Sequence, residues 1–396
     1  MGLRTRTRTT RYRVRSGVFD QHIESANPKC NPSQVDHRSF PGGGRTDHRD
    51  TCQDVTGSPK ADNPLSLSHR EKDGGIISGQ RTCPYCGVLW GIMGEPIVDW
   101  DADVGHLSTN LPSASWINIA ARTTPNRPDV DLPVFVAELR DLPHLIHLGG
   151  RSLLGKVSSA NLNYQFGWRP LLGDLGKLWE FKKYVERRLN NFEKLRKGVY
   201  KRKVSIGSDS NNSNGKVILQ SSSGVWLDGL TNTSTKANRW ATMRWSLAPG
   251  AGLPARGSGD EHWLAVRAVL GLDPSAITSV IWELIPFSWL ADWYGSIGDF
   301  LMTTRNLIPV RAGSCCVMTQ VETQFSATCK APSRDFIYST PYTQKYVTKA
   351  RAVLSAPSSP LQAELPALSL GQLSILGSLS VLRAEAWGGG KVPKVR

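Results

Sequence analysis

Apolar and polar positions alternate with two different periods along this chain, and the switches between them divide it. At the N-terminus Arg4-Thr5-Arg6-Thr7-Arg8-Thr9 alternates with period two and resumes as Arg11-Tyr12-Arg13-Val14-Arg15. That spacing predicts a strand with arginines on one face and Thr, Tyr and Val on the other. Residues 20–80 are rich in Asp, Asn, Pro, Gly and His, include Pro41-Gly42-Gly43-Gly44 and carry hardly any apolar periodicity. Loop is the expectation there. From Pro133 the period becomes helical, with Val134, Phe135, Ala137, Leu139, Leu142, Leu145 and Leu148 before Gly149-Gly150 ends it, and Pro143 as a kink. A second helix opens at Pro170, and Leu171, Leu175, Leu178, Val185, Leu189, Phe192 and Leu195 mark its apolar face to about residue 197.

Residues 199–268 return to short alternating segments separated by Gly/Asn/Ser clusters such as Asn211-Asn212-Ser213-Asn214-Gly215, the pattern of hairpins. Asp273-Pro274 places an N-cap before Pro at a first helical position, opening a helix from Ser275 to Leu284. A further helix after Pro286 carries Trp289, Leu290, Trp293, Ile297 and Phe300. Strand-like text resumes over 310–346, and Leu368, Leu370, Leu373, Leu376, Leu379 and Leu382 mark a last buried helix. Helices and strands therefore come in blocks, which predicts an α+β fold and not a doubly wound sheet.

Charge narrows the partner. The 396 residues carry 48 Lys plus Arg against 33 Asp plus Glu, a net +15. Residues 1–15 hold six arginines and no acid, and residues 169–203 hold twelve Lys/Arg against four acids, giving +6 and +8. Two concentrated blocks on an otherwise nearly neutral chain favour a polyanion, with a membrane surface second. Within the second block Arg169, Lys177, Lys182, Lys183, Arg187, Arg188, Lys194 and Lys197 lie off the apolar seam and are the candidate RNA-binding residues. No apolar stretch follows the N-terminal arginines, so a secretory signal is not expected and synthesis is expected in the cytoplasm.

Catalytic chemistry finds little support. Cys83-Pro84-Tyr85-Cys86 suits free thiols, half of a zinc site or a redox dithiol, but neither a second ligand pair nor a βαβ frame accompanies it. His144 and His147 have ligand-like spacing without a nearby carboxylate partner. Phosphate-loop and nucleophile-elbow patterns are missing. No metal, no cofactor and no enzyme activity are expected. Seven cysteines are an odd count, so free thiols are expected for most. Glu283 and Asp292 stand in apolar text and are expected to be buried anchors, and the tryptophans around them to be core residues more than base-stacking platforms.

Three segments carry a resemblance. The run from Ile281 to Trp293, with Trp282, Glu283, Pro286, Phe287, Ser288, Asp292 and Trp293 as its marked positions, resembles the signature of levivirus-type phage maturation proteins. The stretch holding Phe166, Gly167, Trp168, Pro170 and Asp174 resembles the family's second block, and Glu138, Arg140 and Asp141 belong to a stretch similar to its third. The resemblance implies an elongated two-region molecule with an α-helical bundle and a β-rich antiparallel arm. The corresponding divisions are a β-rich region with long loops at 1–132, helical segments at 133–198, 271–308 and 357–396, and arm segments at 199–270 and 309–356. It also implies a monomer, one copy per virion, that binds the genomic single-stranded RNA, replaces coat protein in the capsid and attaches the particle to a host pilus or other receptor. A cellular RNA-binding structural protein is the alternative, and an enzyme built on Cys83 and Cys86 a weaker one.

Overall fold

A computed structural model describes residues 2–13, 17–22, 35–40, 45–56, 62–82, 89–96, 103–135, 153–162, 164–165, 176–177, 179–198, 200–220, 227–274, 279, 281, 297–329, 338–339, 341–357, 372 and 374–381. Among the described residues twelve strands and five helices are laid down in blocks, with further helical stretches at 132–135 and 374–381. The fold is α+β, as the blockwise pattern predicts.

The strands are β1 (Gly2–Arg13), β2 (Gly17–His22), β3 (Val35–Phe40), β4 (Arg45–Thr56), β5 (Leu65–Gly74), β6 (Ile76–Thr82), β7 (Leu89–Pro96), β8 (Tyr200–Gln220), β9 (Leu227–Leu247), β10 (Val310–Cys329), β11 (Tyr338–Ser339) and β12 (Tyr342–Leu354). A seven-stranded sheet has the order β1-β4-β5-β12-β10-β9-β8, and a five-stranded sheet the order β11-β6-β7-β2-β3. The helices are α1 (Trp116–Thr123), α2 (Leu153–Leu162), α3 (Phe181–Arg196), α4 (Gly259–Leu270) and α5 (Ile297–Thr304). The chain forms two compact units, one of Met1–Ala114, Ser205–Ala241 and Cys316–Leu354, the other of Ser115–Val204, Thr242–Cys315 and Ser355–Arg396.

In the first unit, the irregular segment 103–114 is a strap whose contacts follow the strand order of the sheet. Arg70 of β5 donates to Val104 O at 2.8 Å, and Gln344 of β12 accepts from Val104 N at 3.1 Å. His106 bonds Thr348 of β12 at 3.0 Å and Thr323 of β10 at 2.7 Å, and Leu107 N donates to Thr235 of β9 at 3.1 Å. Asn211 of β8 reaches Ser108 O, and Arg239 of β9 reaches Pro112 O. A segment without secondary structure must find partners for its backbone groups, and the polar side chains of this sheet face supply them. Asp103 fixes the head of the strap against Lys72 at 3.0 Å and Arg70 at 3.5 Å. Burial pushes its carboxyl pKa up, but Lys72, Arg70 and Arg49 together hold it below the usual range.

This arrangement corrects the expectation of loop over 20–80, since β3, β4 and β5 lie there. In β4 and β5 apolar alternation is missing because Arg49, Arg70 and Lys72 face the polar strap on one side, while the half-buried polar residues His48, Asp50, His69 and Glu71 take the other. The N-terminal strand forms as expected, and its register with β4 runs unbroken from Gly2↔Thr56 to Arg13↔Arg45. Arg4, Arg6 and Arg8 share one parity, opposite Asp54, Cys52 and Asp50. The segment 1–132 also ends in a helix, α1, capped by Ser115, whose side chain accepts from Asn118 N.

The second unit is held around the loop 124–131. Asn126 donates to Arg305 O and Ile308 O and accepts from Ile308 N at 2.7 Å. Asp129 N and Val130 N both donate to Val269 O of α4. Ile117, Ile119, Ala120 and Val130 are buried beside these polar contacts. Helices α1 and α5 pack together, as do α3 and α4. The segment 199–270 is not a run of short hairpins: it holds two strands of 21 residues each, and then α4. Ser258 accepts from Glu261 N, Asp260 and Glu261 occupy the first turn, and Gly271 at φ 68° closes the helix in the left-handed conformation that favours glycine.

Candidate nucleic-acid interface

The basic helix carries most of the charge expected to meet a polyanion. Its described part is α3, with helical residues at 176, 177 and 179 ahead of it; residues 170–175 and 178 lie outside the described residues. Val185, Arg188, Phe192 and Leu195 are its buried residues, spaced three and four apart. Such positions share one face. Lys182, Lys183, Arg187, Lys194 and Lys197 are exposed. At about 100° per residue these five span about 140° of the circumference, opposite the buried stripe. Lys194 and Arg196 occupy the last turn, where cations complement the negative end of the helix dipole.

Arg188 corrects the expected set. It is 3% exposed, and its guanidinium forms an ion pair with Asp129 at 2.7 Å, donates to Arg127 O at 2.9 Å and bonds Pro125 O. The buried stripe runs through 188, not 189, because an arginine long enough to reach two carbonyls and a carboxylate of the 124–131 loop is a structural residue there. It can present no charge to a phosphate. Lys177 is half-buried and already interacts within the chain. Lys183 pairs with Glu180 at 3.0 Å, and the Arg187 guanidinium lies 5.0 Å from the Tyr184 ring centroid. Both remain exposed, so these contacts are screened and weak.

The far end of α3 is clamped to α4. Arg196 pairs with Glu261 at 2.7 Å, and Glu193 with Arg256 at 2.6 Å. Glu261 also accepts from Gly257 N at 2.7 Å. Burial pushes the Glu261 carboxyl up, but the Gly257 N–H and the Arg196 guanidinium outweigh it and hold the pKa below its usual value.

Two exposed residues absent from the expected set flank α3 in the chain. Trp179, just before α3, is 93% exposed, and an indole left in water can stack on another flat ring. The signal for it in the sequence is weak, since Trp179 follows Leu178 in apolar text. Lys201, exposed at the start of β8, follows Lys197 closely in the chain. Its signal is the Lys201-Arg202-Lys203 run at the end of the basic block.

The N-terminal arginines are partly neutralised. Arg4 grips Asp54 with two bonds of 2.9 and 2.7 Å, and Arg6 reaches the same carboxylate at 2.9 Å. The Arg4 hydrogen bond is the largest cause holding the Asp54 pKa below its usual value.

Arg169 lies outside the described residues. So do Glu138, Arg140, Asp141, Phe166, Gly167, Trp168, Pro170 and Asp174, as well as Trp282, Glu283, Pro286, Phe287, Ser288, Asp292 and Trp293. The same holds for Cys83, Cys86, His144 and His147. Among the described residues Cys52, Cys315 and Cys316 are not joined in disulfides. Among the described residues no helix is long and apolar enough to cross a membrane. No protein-family model matches the chain, and no curated protein matches it.

Proposed function

We propose that the chain is the maturation protein of a small single-stranded RNA bacteriophage. In this reading it binds the genomic RNA, replaces coat protein at one position of the capsid as a single copy, and attaches the virion to a host pilus or similar receptor. The observation that carries the RNA half is the face of α3: five exposed cations opposite a buried stripe, with exposed Trp179 ahead of them. Cations on a rigid helix bind phosphates without reading sequence, and an aromatic ring adds stacking that every base can satisfy. The capsid and receptor half rests on the resemblance of the segments around Phe166 and Trp282 to levivirus-type maturation proteins. The protein acts by binding and not by catalysis.

A cellular RNA-binding protein would use the same helix face, so the test must address the particle. Nuclease-resistant particles purified from infected cells should contain this chain at about one copy per particle, on an RNA that also encodes a coat protein and a replicase. Particles without the chain, or a gene lying among cellular genes, would contradict the reading.

A further inference from the structure

The sheet face opposite the strap gathers a second set of side chains. Strands β4 and β5 pair in antiparallel register with His48↔Glu71 and Asp50↔His69. Directly opposed residues share a face, and so do residues two apart on a strand. These four side chains therefore form one square patch, with a parity opposite to that of Arg70 and Lys72, which meet the strap.

Within the square the imidazoles are 6.1 Å apart between centroids. His48 Nε2 lies 3.9 Å from Glu71 Oε1, and His69 Nε2 lies 3.9 Å from Glu71 Oε2. One donor atom from each of His48, His69 and Glu71 falls within 4.8 Å of the others, and all three residues are half-buried. These separations are longer than a hydrogen bond of about 2.7–3.2 Å. Two donors on one tetrahedral ion at about 2.0–2.1 Å stand roughly 3.3 Å apart. Small side-chain rotations bring the present spacing to that value.

Asp50 occupies the fourth corner. His69 Nδ1 lies 2.6 Å from Asp50 Oδ1. A proton on Nδ1 donates to that carboxylate, which orients the ring and leaves the Nε2 lone pair facing His48 and Glu71. This carboxylate–histidine pairing is the outer support that metal-bound histidines use. The backbone beneath is rigid, because β4 is paired on both sides, with β1 and β5. Register also brings Arg8 opposite Asp50 and Lys345 opposite Glu71. Lys345 is drawn to Glu322 at 3.5 Å, and the two carboxylates of the square offset the added positive charge.

We propose that His48, His69 and Glu71 form a binding site for a divalent ion of the zinc class, with Asp50 orienting His69. Two imidazoles and a carboxylate suit zinc-class ions over magnesium or calcium, which prefer oxygen donors throughout. Three protein donors leave a fourth position open to water on the exposed sheet face.

The test uses the full chain, stripped with chelator and titrated with Co²⁺ and with Zn²⁺ alone. Co²⁺ should give the visible bands of a nitrogen and oxygen site at one equivalent per chain, and Zn²⁺ should displace it. His48→Gln, His69→Gln and Glu71→Gln, each isosteric enough to keep the strands paired, should abolish that equivalent. Asp50→Asn should weaken it by about 10–100-fold. Zn²⁺ should raise the Tm of the wild type and leave that of Glu71→Gln unmoved. The Cys83→Ser/Cys86→Ser double variant separates a thiol site from this one and should bind as the wild type does. Absence of stoichiometric binding would overturn the proposal. So would equal binding by the glutamine variants, or a cobalt spectrum dominated by thiolate charge transfer that the double serine variant removes. None of these measurements involves RNA, so the metal site and the proposed function stand or fall separately.

Discussion

Replacing Arg188 by Met separates a structural arginine from an RNA-binding one. Methionine keeps most of the length and apolar stem while removing the charge and every donor. In the wild type the guanidinium is 3% exposed and serves Asp129 at 2.7 Å, Arg127 O at 2.9 Å and Pro125 O. Each buried acceptor left without a donor costs about 1–3 kcal/mol. The Asp129 side chain retains 23% exposure, so water recovers part of its loss. Breaking one side of a buried pair costs about 3–5 kcal/mol overall. In urea, with m of about 1–3 kcal/mol/M, the midpoint of the transition that unfolds α3 should fall by at least about 1 M with m unchanged. Below that midpoint the RNA affinity and its salt slope should match those of the wild type. A variant within about 0.5 kcal/mol of wild-type stability, or a salt slope lowered by about 0.7 as removal of one phosphate interaction would give, would refute the assignment.

Trp179→Ala should weaken RNA binding by about 1–3 kcal/mol, as loss of one stacked base does, with the salt slope unchanged because no charge is removed; a quantitative gel shift at several salt concentrations decides it. His106 is half-buried between Thr323 and Thr348, stacks on Tyr346 at 4.3 Å, and has its pKa lowered by burial first and by the Arg70 charge second. The unfolded chain therefore binds this proton more readily. The stability that neutral His106 contributes is present above its ordinary value of about 6.5 and is lost as pH falls below it. His106→Gln should flatten the dependence of Tm on pH in that window, and an unchanged dependence would refute the argument. At Gly74, φ is +79° and an added Cβ would collide with Pro341 O, so Gly74→Ala should destabilise by about 1–2 kcal/mol from backbone conformation alone. A melting temperature equal to that of the wild type would refute this, showing that the paired ends of β5 and β12 rearrange at no cost.

The legible and illegible parts of this fold differ in what their side chains touch. Helix α3 was visible because Val185, Phe192 and Leu195 are apolar and its back is basic. Its seam was set one residue off because apolarity points to Leu189, whereas the position that packs is Arg188, which is held by hydrogen bonds invisible to a hydrophobic pattern. Strands β4 and β5 give no apolar alternation for a related reason: Arg70 and Lys72 meet a polar strap, and His48, Asp50, His69 and Glu71 take the opposite face. The pairs His48-x-Asp50 and His69-x-Glu71 were present as matching parities, but only the register brings them together. For α4, the Ser258 cap, the acidic first turn and Gly271 were all in the sequence, and the hairpin-like text before them obscured the change of period. The family-like segments around Phe166 and Trp282 fall outside the described residues, so the resemblance and the geometry are independent supports.

The most direct test of RNA binding through α3 is the salt dependence of affinity when Lys182, Lys183, Arg187, Lys194 and Lys197 are all changed to Gln. Their side chains are exposed and off the buried stripe, so the variant should fold and melt as the wild type does. Removing one phosphate interaction should lower the slope of log K against log salt by about 0.7 for single-stranded RNA, and removing three to five should lower it by about 2 to 3.5. An equally folded variant with wild-type affinity and wild-type slope would contradict the account.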